Sequence, residues 1–195
     1  MQYGRRVLGL GLLTLGCLLA PGAARAEGET AAPVTPPAAV AAVDDRTRFA
    51  ATFRYAGDER EAAARRAAID RGISSLFFAI RGIARSRLSD GTKVDPSVSF
   101  AFDPGKIRVR IPNAPDAVSP DNGSPVEHGS GGDRSRLTQR LTPGKVTQAF
   151  VTSEGGRTNE WSLTPDGATL LLRVTVSSPK LSNPVIYVLT YKKAP

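Results

Sequence analysis

The hydrophobic period changes several times along the chain, and each change marks an element. Residues 7–20 are almost wholly apolar and carry no charge. Phe49, Ala51, Phe53 and Tyr55 alternate with Arg48, Ala50, Thr52 and Arg54, which predicts a half-buried strand beginning near Thr47. Gly57 ends it. Asp58 and Glu61 then form an acidic capping box. Glu61–Arg65 and Arg66–Asp70 stand at helical i,i+4 spacing. Ile69, Ile73, Leu76, Phe77, Ile80, Ala84 and Leu88 follow the same period. One kinked helix, or a helix–turn–helix, is predicted over 58–88.

After Asp90-Gly91 the period returns to two. Val98, Phe100 and Phe102 alternate with Ser97, Ser99 and Ala101, and Ile107, Val109 and Ile111 with Lys106, Arg108 and Arg110. Asp103-Pro104-Gly105 lies between them as a turn, so the two runs predict a hairpin. Residues 112–133 hold Pro112, Pro115, Pro120 and Pro125 together with a run of glycines, and predict a long loop with a short strand near Val126. Five further strands are predicted over 134–141, 146–152, 158–163, 169–177 and 185–191. Pro143-Gly144, Gly155-Gly156 and Pro165-Asp166-Gly167 separate the first four. Short turns between strands imply antiparallel neighbours.

The fold class expected is therefore α+β. An antiparallel up-and-down meander of about eight strands closes, or half closes, into a barrel that hides its edges. The first strand pairs with the last, and the helical segment after the first strand covers one end. This order resembles the calycins, and within them the fatty-acid-binding proteins, in which a helix–turn–helix follows the first strand. The run from Asn159 to Leu170, with Trp161 and Pro165-Asp166-Gly167, is similar to strand–turn–strand units of lipocalin-like secreted bacterial proteins. The resemblance spans residues 96–192 well and the front half loosely. The Gly-x-Trp of lipocalins is missing near the first strand, so no family binding residue carries over. The resemblance implies a barrel that binds a small ligand.

The ends bear on location. Arg5 and Arg6 precede the apolar run, and Ala24-Arg25-Ala26 follows Pro21-Gly22, the n-h-c order of a cleavable secretory signal over 1–26. The run is short of the roughly 20 residues that span a bilayer. Arg5-Arg6 also fits a twin-arginine signal loosely. Leu15-Gly16-Cys17 resembles the end of a lipobox, although Thr14 stands where leucine is preferred; lipidation at Cys17 and an outer-membrane site are the lesser alternative. The expected location is the bacterial periplasm or beyond. Residues 27–45, rich in alanine and proline, read as a disordered tether, and 46–195 as one domain.

Cleavage would remove three arginines and no acid, lowering the formal net charge from +8 to +5. A mildly basic exported chain meets anionic lipid and polysaccharide before nucleic acid, and no nucleic-acid partner is expected. Cys17 is the only cysteine, so a mature form would have no disulfide, thiol nucleophile or cysteine metal site.

Catalytic constellations are sparse. His128 is the single histidine, in Val126-Glu127-His128-Gly129-Ser130. A triad would have to use it, and Ser130 lacks the Gly-x-Ser-x-Gly elbow; a solvated loop histidine is the simpler reading. Glu127 and Asp133 flank the glycines without the fixed placement that acid–base work needs. One histidine cannot make a zinc site alone. The segment 129–132 lacks the Gly-Lys-Ser/Thr ending of a nucleotide loop. No metal or cofactor is expected.

The arginines offer more. Lys106, Arg108 and Arg110 share one strand face, and Arg134, Arg136 and Arg140 share another. Arg108, Arg110, Arg134 and Arg136 are the candidate ligand-binding residues, able to hold a phosphate or carboxylate. Alternation alone also places them on the solvent face of a sheet. The helical segment, with Arg65, Arg66, Arg71, Arg81, Arg85 and Arg87, has an apolar face suited to covering the sheet or to lying on a membrane.

The function expected is a non-catalytic exported binding protein. Its ligand is an apolar or amphipathic, anionic molecule of the cell envelope, such as a lipid, taken into the barrel mouth. A structural or interaction module within an envelope complex is the alternative, and a hydrolase using His128 ranks last.

Overall fold

The structure is a computed structural model and describes residues 44–129 and 134–195. Their elements run α1 (Asp45–Phe49), β1 (Thr52–Tyr55), α2 (Glu59–Ile73), α3 (Phe78–Gly91), β2 (Ser97–Asp103), β3 (Lys106–Arg110), β4 (Ala117–Pro120), β5 (Val126–His128), β6 (Ser135–Thr142), β7 (Lys145–Thr152), β8 (Gly155–Leu163), β9 (Thr169–Ser177) and β10 (Val185–Lys193). The strands form one sheet in the order β4-β3-β2-β1-β10-β9-β8-β7-β6-β5, every pair antiparallel. The first strand meets the last, with Tyr55 opposite Tyr191. The up-and-down meander expected from the alternation is present, with ten strands where about eight were predicted.

The ring closes between β4 and β6. Leu141 N–H donates to the Asp121 carbonyl at 3.2 Å, and Asn122 bridges Arg140. Above that point the main chains part, and a side chain takes over. Gln139, 1 % exposed, donates from Nε2 to the Ala117 carbonyl at 3.3 Å and accepts from Ser119 Oγ at 3.1 Å. Gln139→Leu leaves that buried carbonyl without its partner and should cost about 1–3 kcal/mol in denaturant unfolding. A neutral result would mean that β4 and β6 hold together without this side chain.

The alternation that predicted the strands also built the core. Phe53, Val98, Phe100, Ile107, Val109, Leu137, Val146, Trp161, Leu172 and Leu189 all point inward and are buried. Phe100 lies at the middle of an aromatic cluster, its ring 5.6 Å from Phe49, 6.2 Å from Phe53 and 5.4 Å from Trp161. Trp161 in turn meets Tyr191 at 5.9 Å. The turn at Pro104-Gly105 forms as the sequence suggested, with Gly105 at φ 69°, a conformation that favours glycine.

Two local expectations need correction. The strand predicted from Thr47 is only Thr52–Tyr55, because the chain makes a helical turn first. Asp44 caps that turn by accepting from Arg46 N, Asp45 accepts from Gly144 N at 2.7 Å, and Arg48 donates to the Thr164 and Pro165 carbonyls. Phe49 thereby plugs the end of the barrel away from α2 and α3. Secondly, the predicted loop at 112–133 contains β4 as well as the short strand at Val126. Of the two alternatives for 58–88 the helix–turn–helix is the one that forms, and its two helices behave differently. α2 buries Ala68, Ile69, Gly72 and Ile73 and packs along β10, whereas α3 buries no residue fully. Among the described residues no helix is long and apolar enough to cross a membrane.

Candidate ligand groove at the helical end of the barrel

The sequence assigns α3 an apolar face, and the structure leaves that face without a sheet beneath it. Ile80 is 48 % exposed and Ile83 59 %. α2 already occupies the position over β10, so α3 stands off from the rim. The space between is a groove of about 620 Å³. Leu76, Ile80, Ile83, Ala84 and Leu88 make one wall, at the spacing of a helix face. Val176 of β9 and Leu181 of the following connection make the other, with Arg87 and Lys180 at the edge. The volume is of the size that holds a small organic ligand.

A second hollow of about 330 Å³ adjoins the groove, sharing Val176 and Ser178 with it, and includes Phe150, Gly155, Gly156 and Arg157. Arg157 is held in place. Its Nε donates to Asn159 Oδ1 at 2.9 Å and its Nη1 to the Gly91 carbonyl at 3.3 Å. Asn159, 1 % exposed, donates in turn to Gln148 Oε1 at 2.9 Å. None of these partners is an acid, so the guanidinium keeps its charge uncompensated by hydrogen bonding. At the hollow's edge Glu154 is tied to Lys180, whose hydrogen bond holds that carboxyl below its ordinary range. Gly155 is required here: at φ 147° it passes so close to the Ser177 carbonyl that a Cβ would lie 2.2 Å from it.

Inside the barrel a polar layer lies next to the aromatic one. Gln148 Nε2, Tyr187 OH, Trp161 Nε1 and Arg65 Nε are buried and have no hydrogen-bond partner among the described residues. Burial pushes the Tyr187 and Tyr191 hydroxyls above their ordinary range. Burial also raises Asp95, against the pull of Arg157. Arg65 Nη1 donates to Thr92 at its carbonyl and hydroxyl, and Thr92 Oγ1 donates to the Leu88 carbonyl at 2.6 Å, latching the end of α3 to α2. The interior is thus packed with side chains at its aromatic end, and the groove lies at its helical end.

The candidate arginines fall in two places. Arg108 and Arg110 face outward on β3. Arg110 makes a bidentate pair with Asp116 at 3.1 and 3.0 Å, which holds that carboxyl below its ordinary range, and Arg108 reaches Asp116 and Asp103. Arg134 and Arg136 line a surface hollow of about 320 Å³ with Glu127, Ser135 and Thr152. In the sheet order β3 stands next to the β4 edge and β6 next to the β5 edge, so the two pairs lie on different strands. His128 lies in β5 with its ring 5.4 Å from Phe150. Ser130 and Asp133 lie outside the described residues.

Arg157 was not singled out from the sequence, where Gly155-Gly156-Arg157 reads as turn and strand start. A signal existed. Arg157 shares the parity of Asn159 and Trp161, so period two places it on the inward side.

No protein-family model and no curated protein matches the sequence. Several solved structures are similar to it. A Schistosoma mansoni fatty-acid-binding protein in complex with arachidonic acid is 15 % identical, covers 77 % of this chain and 98 % of its own, and has a TM-score of 0.47. A zebrafish ileal bile-acid-binding protein complexed with cholic acid is 12 % identical over 75 % and 99 %, with a TM-score of 0.47. A secretory abundant heat soluble protein from Ramazzottius varieornatus is 11 % identical over 75 % and 96 %, with a TM-score of 0.48. These neighbours are calycin-like barrels. With TM-scores below 0.5, they leave the function to be read from this chain's own side chains.

Proposed function

We propose that this protein is a non-catalytic carrier of an amphipathic anion, with the apolar part in the groove along α3 and the head at Arg157. The supporting observation is the continuity of the two hollows. A wall of leucine and isoleucine runs into a space where a fixed guanidinium has no acidic hydrogen-bond partner, Asp95 acting on it only through space. Burying an alkyl chain there gains roughly 0.8 kcal/mol per CH₂ group. The guanidinium offers its remaining N–H groups to a carboxylate, sulfate or phosphate. Arg87 adds positive charge at the edge, where Lys180 is already paired with Glu154. The Arg134–Arg136 hollow takes no part in this reading. A leader at 1–26 would put the carrier in the periplasm, where envelope lipids supply such molecules.

The test compares dodecanoate with dodecanol, which share a tail and differ in the head, by titration calorimetry. Dodecanoate should bind roughly 10- to 100-fold more tightly, the worth of a charge-assisted hydrogen bond. Arg157→Gln should erase that preference while leaving dodecanol unchanged. Equal affinities in the unsubstituted protein, or a preference that survives the substitution, would overturn the assignment of the head to Arg157.

A further inference from the structure

The stretch Asp121-Asn122-Gly123-Ser124 closes the ring between β4 and β6, and it carries a reactivity that closure does not need. In an asparagine–glycine pair the main-chain nitrogen reaches the side-chain amide easily, because glycine has no Cβ to obstruct the approach. Of the four asparagines in the chain only Asn122 precedes glycine. Asn113 precedes Ala114, Asn159 is buried in β8, and Asn183 precedes Pro184, which has no N–H to give.

The surroundings favour the reaction. Ser124 N donates to Asn122 Oδ1 at 2.9 Å, which polarises the Cγ carbonyl and folds the side chain back over the intervening Gly123 peptide. The Gly123 N–H has no hydrogen-bond partner among the described residues. The Arg140 guanidinium lies against this glycine: a Cβ there would sit 2.9 Å from Nη2 and 3.1 Å from Nε. Arg140 has no acidic partner among the described residues, and the neighbouring Asp121 is taken by Arg46. A positive charge in that place stabilises a deprotonated Gly123 nitrogen and the oxyanion that forms on Cγ. Asn122 is exposed, so hydroxide and water reach it.

We propose that Asn122-Gly123 is a self-modification site, at which the folded protein converts the Asn122 amide to a carboxylate with the help of Arg140. The Gly123 nitrogen gives its proton to hydroxide and attacks Asn122 Cγ. A C–N bond forms and closes a cyclic imide. The Cγ–Nδ2 bond breaks, and Nδ2 takes a proton from water and leaves as ammonia. Water then opens the imide, and the Gly123 nitrogen regains a proton. Breaking the bond to Cγ gives aspartate; breaking the main-chain bond gives isoaspartate, with the chain running through Cγ. The sum is one water consumed and one ammonia released.

The two products act differently on the ring closure. Aspartate keeps the main chain and sets a carboxylate beside Arg140. Isoaspartate lengthens the main chain directly after the Asp121 carbonyl, the acceptor for Leu141 N–H across the closure.

The experiment incubates the native protein at mildly alkaline pH and follows each asparagine-bearing peptide by mass spectrometry. Asn122 should convert to both aspartyl forms while Asn113, Asn159 and Asn183 stay intact, with ammonia released in equal amount. Arg140→Gln should slow the conversion roughly fivefold, as expected of one unit charge at about 4 Å in water. Arg140→Lys, which keeps the charge, should recover most of the rate. The isoaspartyl form should melt roughly 2–4 °C lower, the worth of one hydrogen bond in a domain of this size. The proposal is overturned if Asn122 persists in the native protein while a free peptide of the same sequence converts, or if Asn122 reacts no faster than Asn113. Conversion at the unsubstituted rate in Arg140→Gln, with the fold intact, would overturn the part given to Arg140.

Discussion

Phe100→Ala should be the most destabilising single substitution among the interior aromatics, at about 3–5 kcal/mol. The reason is its position rather than its size. The ring touches Phe49, Phe53 and Trp161 edge-on, and so joins the α1 plug, β1 and β8 to β2. Removing it opens a cavity bounded by three rings that belong to different elements, and those cannot all close inward at once. For a domain of this size the melting temperature should fall by roughly 10 °C. Guanidinium unfolding reads the loss directly, because Trp161 is the only tryptophan and its fluorescence reports this cluster. A loss under about 1 kcal/mol would mean that the interior is loosely packed and able to collapse, contrary to the packing described here.

The second large effect concerns the groove. Ala84 is half-buried on the inner wall of α3, between Ile80 and Leu88. Ala84→Trp fills the groove from that wall and takes the space of two or three ligand CH₂ groups. The affinity for dodecanoate should fall roughly thirtyfold, the equivalent of about 2 kcal/mol of lost apolar burial. Stability should change little, because α3 buries no residue fully. This separates the groove from the barrel interior as the ligand's place. A ligand seated deep inside, beside Tyr187 and Gln148, would bind to the Ala84→Trp protein almost unchanged.

The barrel was legible because period two is a strong signal when one face is wet. The runs at Ser97–Asp103 and Lys106–Arg110 alternate cleanly, Thr169–Ser177 does so except at the outward Leu171, and each is a strand with its main apolar side inward. β4 was not legible. Its inward residues are Ala117 and Ser119, too small to mark a face, and it ends on Pro120. The sequence also could not show that Gln139, a polar residue at an inward position, substitutes for main-chain bonds between β4 and β6.

The helical pair shows a different limit. Period 3.6 marks an apolar face but does not say what covers it. On α2 the face is met by β10; on α3 the same kind of face lines a groove and ends in two exposed phenylalanines. The candidate arginines illustrate the converse. Arg108 and Arg110 stood out because they alternate with apolar residues, which is also what puts them on the outer face beside Asp116. Arg157, in phase with the inward residues, was hidden by the glycines before it.

A methyl NMR titration with dodecanoate tests the central claim most directly. The groove account predicts shifts at the methyls of Ile80, Ile83, Leu88, Val176 and Leu181, with Ile107, Leu172 and Leu189 unmoved. Shifts centred on those interior methyls, or no saturable shift anywhere, would contradict it.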